Sequence, residues 1–156
     1  MEQPLLADVA EHLEDGSNAT FLCELHVLGT SMADWQRVLD VVTDRTDWSV
    51  EYSEDGRAKD IPEQAELIFE RRQKVSALLR IVPEALSIHA HFFCTDAVEF
   101  DVSARHVNTQ SRLDELLGFA RIVGRAVNRQ VLVTGERGPV RPFLIYDPGP
   151  DDWARH

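Results

Sequence analysis

Residues 86–102 alternate between apolar and polar side chains, and this alternation restricts them to strands with one buried face. The apolar positions are Leu86, Ile88, Ala90, Phe92, Cys94, Val98, Phe100 and Val102. The opposite face carries Ser87, His89, His91, Phe93, Glu99 and Asp101. Because paired residues must share a face, we predict a hairpin with loop 95–97 that sets Phe92 opposite Phe100 and His91 opposite Asp101.

The chain before residue 50 predicts a strand flanked by two helices. Residues 4–14 have the apolar spacing of a short amphipathic helix. Residues 20–27 alternate as strictly as the hairpin does and predict a strand. Ser31 and Asp34 have the spacing of an N-terminal cap, so they open the second helix.

The middle of the chain predicts a strand, a helix and a further strand. The first strand covers residues 48–52. Asp60 has the position of an N-cap, with a proline in the first turn after it. The composition then changes from helical to β-branched near Ser76, where we place a helix-to-strand boundary.

The last third of the chain contains the clearest helix and two strands. Ser111 and Asp114 open this helix, and its apolar residues recur at helical spacing. Gly124 lies on the same apolar stripe, which indicates a close approach of the helix to the sheet. Residues 130–136 and 142–147 then predict two strands.

Hairpins dominate this order of elements, and no regular βαβ repetition occurs. We therefore predict an α+β fold, with a mainly antiparallel sheet of about five to six strands and helices packed largely on one face. We expect one domain over residues 1–148 and a loose C-terminal tail over 149–156.

Negative charge is the strongest global signal of the sequence. The formal net charge is −11, and residues 1–60 hold fourteen acidic side chains against four basic ones. Such a chain repels nucleic-acid phosphates, so we expect no nucleic-acid partner. The same charge favours a basic protein partner and speeds encounter with it, although an acidic surface also simply keeps a protein soluble.

Location and cofactors are inferred from features that the chain lacks. It has no apolar run long enough to span a bilayer, and its acidic start is unlike a signal peptide, so we expect a cytoplasmic protein that does not bind membranes. The only cysteines, Cys23 and Cys94, lie in apolar runs and are predicted to be buried free thiols. Phosphate-loop and dinucleotide-binding motifs are absent, so no cofactor is predicted.

The strongest candidates for metal binding or catalysis are His89, His91 and Asp101. A His-x-His on one strand with a carboxylate across from it can ligate zinc or carry out acid–base chemistry. A metal site needs further ligands, however, and Ser87 and Phe93 occupy the flanking positions. A structural or interface role is therefore favoured, with metal binding and catalysis as alternatives.

Acidic residues cluster in the second helix and the strand after it. They form a solvated face by default, and a docking face for a basic protein is the next interpretation. The candidate partner-binding residues are Asp34, Asp40, Asp44, Asp47, Glu51, Glu54 and Asp55, together with His89, His91 and Asp101.

Three stretches carry a family resemblance. They are "HAHFFCTDAVEFDV", "LLGFARIVGRAVNRQVLVTGE" and "PFLIYDP", within about residues 86–148. Together they resemble the C-terminal half of small acidic immunity proteins from bacterial polymorphic toxin systems. The resemblance implies an α+β domain that neutralises a cognate toxin by binding it, without catalysis.

Two other classes of function remain open. A secretion-effector chaperone is also a small acidic α+β protein, and it works as a homodimer that holds a segment of its client. An enzyme that uses His89, His91 and Asp101 is the third hypothesis.

Overall fold

The computed structural model describes residues 3–13, 21–135 and 141–156. Four α-helices lie in these ranges: α1 (Leu6–Leu13), α2 (Met32–Thr43), α3 (Ala65–Arg72) and α4 (Gln110–Val127). The same ranges contain nine strands: β1 (Leu22–Leu28), β2 (Ser49–Glu54), β3 (Arg57–Lys59), β4 (Ala77–Val82), β5 (Ile88–Ala90), β6 (Ala97–Ser103), β7 (Val131–Thr134), β8 (Pro142–Asp147) and β9 (Asp152–Arg155). None of the helices described combines the length and apolar character needed to cross a bilayer.

All strands in the described ranges join one antiparallel sheet, in the order β3-β2-β4-β5-β6-β1-β7-β8-β9. The α+β class is thus confirmed, but the sheet has more strands than predicted. One additional strand is β3, which pairs with β2. Asp55 and Gly56 take φ values of 52° and 77°, the left-handed conformation that a tight hairpin turn requires at both central positions.

The C-terminal segment 149–156 is ordered as part of the sheet, so the prediction of a loose tail was wrong. It contains β9, which pairs with β8 at one edge. Asp151 anchors the preceding turn by accepting hydrogen bonds from Arg121 at 2.8 Å, from Arg125 at 2.6 Å and from the Tyr146 hydroxyl. Charged contacts to α4 therefore hold this segment. Because such contacts require no apolar alternation, the sequence pattern gave no sign of this strand.

Helices α2, α3 and α4 pack on one face of the sheet. Phe119 of α4 contacts Phe100 of β6 with ring centroids 4.9 Å apart. Trp35 of α2 contacts Phe69 of α3 at 5.4 Å. The residues that alternation and helical periodicity predict as core are all buried: Leu25, Val38, Phe92, Phe100, Leu117 and Val123.

The hairpin of β5 and β6 differs in register from the prediction. Its pairs set His89 opposite Asp101 and Ala90 opposite Phe100, so the connection covers residues 91–96 rather than 95–97. The shift is by two residues, which leaves the side chains of β5 and β6 themselves on their predicted faces.

The connection between β5 and β6 binds the start of α2 instead of continuing the strand ladder. The indole of Trp35 donates a hydrogen bond to the Cys94 carbonyl at 2.9 Å. The hydroxyl of Thr30 donates to the Thr95 carbonyl at 2.8 Å. Phe92 takes a φ of 58°, a left-handed conformation that takes the backbone out of the strand. These tertiary contacts set the register that alternation alone leaves open.

Two helix starts also differ from the prediction. Helix α3 begins after the N-cap Gln64, so Asp60 does not open it. Thr109, not Ser111, is the N-cap of α4, and its side chain accepts the capping hydrogen bond. The predicted change to a strand near Ser76 is confirmed by β4.

The two thiols lie in different environments. Cys23 is buried in β1, and this burial raises the pKa of its thiol to about 12. Cys94 is exposed, so the prediction of two buried thiols was wrong for this residue. It is exposed because it lies in the connection after β5, where the alternation of the strand has ended.

Two glycines of α4 give a matched test of helix packing. A Cβ at Gly124 would lie 2.8 Å from Cδ2 of Tyr146, whereas nothing lies within 4 Å at Gly118. We expect Gly118→Ala to raise the free energy of unfolding by about 0.5–1 kcal/mol, because alanine is the better helix former. We expect Gly124→Ala to lower it by about 1–3 kcal/mol through overpacking. Urea denaturation measures both, and a stabilised Gly124→Ala protein would contradict the close contact of α4 with β8.

Candidate functional site

The sheet face opposite α2, α3 and α4 carries polar side chains in register across five strands. Cross-strand pairs join Glu51 to Arg80, Arg80 to His89, His89 to Asp101 and Asp101 to Glu24. With their neighbours they form what we call the polar face: Glu24, His26, Glu51, Arg80, Ser87, His89, His91, Phe93, Glu99 and Asp101. Four residues predicted for partner binding meet on it, namely Glu51, His89, His91 and Asp101.

Asp101 lies between His89 and His91, the two histidines predicted for the site, and accepts a hydrogen bond from each. Its carboxylate oxygens are 2.7 Å from Nε2 of His91 and 3.4 Å from Nδ1 of His89. Burial by itself raises the pKa of Asp101, but the hydrogen bonds from the two imidazoles outweigh burial and lower it to about 2. The hydrogen bond to Asp101 in turn raises the pKa of His91 above its usual value.

Ser87 extends this network, and sequence reasoning did not select it. Its hydroxyl donates to Nε2 of His89 at 3.1 Å, while Nδ1 of the same ring faces Asp101. Nε of Arg80 donates to the Ser87 oxygen at 2.7 Å. A serine, a histidine and a carboxylate therefore lie in the order of a proton relay. The signal in the sequence is the placement of Ser87 two residues before His89, on the same strand face.

A buried carboxylate holds the turn that precedes Ser87. Glu115 of α4 accepts hydrogen bonds from the backbone N–H groups of Glu84, Ala85 and Leu86, at 3.0, 2.9 and 2.8 Å. The Glu115 carboxylate thus satisfies three backbone N–H donors of a segment that belongs to no helix or strand. This contact orients the start of β5, and with it the side chains that follow on the polar face.

His26 lies at the centre of the polar face and was also missed. Its side chain is only 3% exposed, with Nε2 3.5 Å from Glu24 and Nδ1 3.4 Å from Glu99. Neither ring nitrogen reaches hydrogen-bond geometry with the residues described. Burial raises the pKa of Glu24 against the lowering effect of nearby His26, and the repulsion of Glu99 and Asp101 adds to the rise. The sequence places His26 on the solvent face of β1, so alternation gave no sign of its burial.

Phe93 is the most exposed aromatic ring of the polar face. Its side chain is 55% exposed and stacks on His91, with ring centroids 5.1 Å apart and an interplanar angle of 7°. The guanidinium of Arg72 lies 5.9 Å from the ring centre. The ring of Phe93 therefore packs against His91 while about half of its surface stays exposed.

The acidic candidates from α2 do not share a surface with the polar face. Asp34 is buried, where it forms the capping box with Ser31 and contacts Arg37 and Arg129 at 2.8 and 3.3 Å. Its role is structural, since its carboxylate is already neutralised. Three others are exposed in and after α2: Asp40, Asp44 and Asp47.

The remaining acidic candidates lie around the β2–β3 hairpin. Glu54 accepts hydrogen bonds from the Tyr52 hydroxyl at 2.8 Å and from Arg71 at 3.2 Å. It also lines a cleft of about 400 Å³ together with Lys59 and Arg71. Asp55 accepts from the backbone N–H of Ser76 at 2.8 Å. Both carboxylates thus have partners within the fold.

The donors of the polar face do not converge on one point. Within the part of the chain described, no three His, Cys, Asp or Glu side chains are placed to hold a metal ion together. The prediction that the protein has no metal or cofactor stays a prediction. The arrangement can move a proton along Ser87, His89 and Asp101, and it concentrates negative charge at Glu24, Glu99 and Asp101.

Comparison with known proteins gives no match: no protein-family model, curated protein or solved structure is significantly similar to this chain. The resemblance to immunity proteins therefore stays a prediction.

The Asp101 pair gives a pH test. Because the pKa of His91 is raised, this contact stabilises the fold at low pH and is lost as the pH rises through the raised pKa. The contribution of Asp101 is present above its ordinary pKa of 3.8 and is lost as the pH falls toward about 2. We expect the Asp101→Asn variant to lower the pKa of His91, measured by NMR titration of the ring. Glu63→Gln, at an exposed site, is the control, and an unchanged His91 in Asp101→Asn would contradict the pair.

Proposed function

We propose that this protein is a non-enzymatic binding protein that neutralises a basic protein, as an immunity protein neutralises its cognate toxin. The observation that carries the proposal is a set of unneutralised carboxylates. Asp40, Asp44 and Asp47 are exposed, and in the described ranges none of them pairs with a Lys or Arg. At a net charge of −11, such groups attract a basic partner over several ångströms.

Two further arguments support this proposal. The same potential disfavours binding to nucleic acid and to anionic lipid surfaces. The sequence resemblance over residues 86–148 points to a toxin as the basic partner. The effector chaperone is the alternative within the binding class, and it requires a homodimer rather than a single chain of 17.7 kDa.

The salt dependence of association tests the proposal. The probe is the candidate partner encoded by the adjacent gene, which the proposal expects to be a basic protein, and the measurement is surface-immobilised kinetics across a salt series. The screening length falls from about 10 Å at 0.1 M to about 3 Å at 1 M, so we expect the association rate to fall steeply. We expect the dissociation rate to change less, because short-range packing holds the formed complex.

Charge-reversal variants test which carboxylates attract the basic partner. Asp40→Lys with Asp44→Lys should slow association and flatten its salt dependence. The matched control is Glu11→Lys with Asp152→Lys, which alters the net charge equally at exposed sites in α1 and β9. An association rate that does not vary with salt, or equal effects of the two pairs, would mean that the acidic residues only confer solubility.

One observation favours a second candidate function, ester hydrolysis. Ser87, His89 and Asp101 stand in the order of a nucleophile, a base and an orienting carboxylate. This candidate predicts that the protein hydrolyses p-nitrophenyl acetate faster than buffer does. The rate should fall by roughly 100-fold or more in Ser87→Ala. Ser49→Ala, at an exposed position of β2, is the control, and equal rates in the two variants would exclude a Ser87 nucleophile.

A further inference from the structure

We infer that the docking site for the basic partner is the polar face, and that the partner inserts a Lys or Arg side chain beside an apolar residue there. The cation would meet Glu99 and Asp101, and the apolar residue would cover Phe93. This inference rests on the proposed function and names the surface that performs it.

Several charged or polar side chains of the polar face are largely shielded from water. The side chains of Glu24, His26 and Asp101 are 22%, 3% and 18% exposed. Carboxylates and imidazoles in such positions have already lost part of their water. A partner that covers them therefore removes little further hydration, which lowers the desolvation cost of binding.

Two carboxylates of the polar face, Glu24 and Glu99, have no Lys or Arg partner among the described residues. Glu24 and Glu99 share only His26, whose two nitrogens stay beyond hydrogen-bond geometry with both. Burial and the repulsion of Glu99 and Asp101 raise the pKa of Glu24 even though His26 lowers it, so one more positive charge nearby would be favourable. A guanidinium or ammonium group from a partner satisfies these oxygens with charge-assisted hydrogen bonds.

Apolar anchors lie next to this charge. Phe93 packs against His91 and lies near Arg72, and Leu28 of β1 is 47% exposed on the same strand face as Glu24 and His26. Exposed aromatic rings are favoured as interface hot spots, because a ring has few rotamers and ordering it on binding costs little entropy. The combination fits a partner segment with one basic and one apolar side chain.

The exposed carboxylates of α2 act differently in this scheme. Asp40 and Asp44 are exposed and lie in the helical layer, on the other side of the sheet. Solvated charges such as these change the rate of encounter, whereas groups buried at a contact change the rate of dissociation. The two surfaces can therefore be separated by kinetics.

The experiment compares dissociation from the candidate partner encoded by the adjacent gene. We expect Phe93→Ala and Glu99→Gln each to raise the dissociation rate at least roughly tenfold with little change in association. Asp40→Asn with Asp44→Asn should slow association and leave dissociation unchanged. Leu67→Ala, which removes an exposed apolar side chain of α3, is the control for Phe93→Ala.

The outcomes separate this inference from the proposed function. If the unaltered protein binds no basic partner, the proposed function fails and this inference fails with it. If it binds, but Phe93→Ala and Glu99→Gln dissociate at the unaltered rate, the docking surface is wrong and the function stands. A homodimer that Phe93→Ala dissociates would make a second copy the occupant and would also overturn the inference. Unchanged melting temperatures confirm that each variant folds.

Discussion

The pairing of β1 with β6 is the constraint on which both faces of this protein depend. Seven residue pairs join the two strands, and among them Leu25 faces Phe100 while Glu24 faces Asp101. Because side chains alternate along a strand, this one register builds the core and the polar face together. A slip by one residue would bury Asp101 under α4 and expose Phe100. The packing of the core therefore also fixes the positions of the polar side chains on the other face.

The chain leaves the sheet after Ala90, and this departure shapes the polar face. Strand β5 has only three residues, and the left-handed Phe92 follows it. Left-handed φ is unfavourable for a bulky residue, so tertiary contacts must compensate. The burial of the Phe92 ring between Trp35 and Phe69 provides one such contact. The same bend brings His91 to Asp101 and leaves the ring of Phe93 outside.

Periodicity in the sequence predicted well which face of a helix or strand is buried. It predicted poorly the register of paired strands and the tertiary contacts of the connections. Alternation assigned Leu25 and Phe100 to the core correctly, and the Ser31–Asp34 cap was correct because it depends on neighbours along the chain. The close approach at Gly124 was also correct, because a glycine on the apolar stripe of a helix indicates where the helix meets the sheet. The connection 91–96 could not be predicted, since it is held by contacts to Trp35 and Thr30, about 60 residues away. Strand β9 was missed for a similar reason, because Asp151 rather than an apolar pattern anchors it.

The candidate site follows the same division. His89, His91 and Asp101 were recognised as a group, and their contacts are present although the predicted register was wrong. His26 and Glu24 come from a strand more than 60 residues earlier, and only the β1–β6 pairing brings them to Glu99 and Asp101. Half-buried carboxylates with incomplete partners stabilise a fold less than apolar residues of similar volume would. A sheet that keeps them in its centre gives up some stability, which the proposed cationic partner would offset on binding. That reasoning favours a cationic partner on the polar face over a purely structural role for its charges.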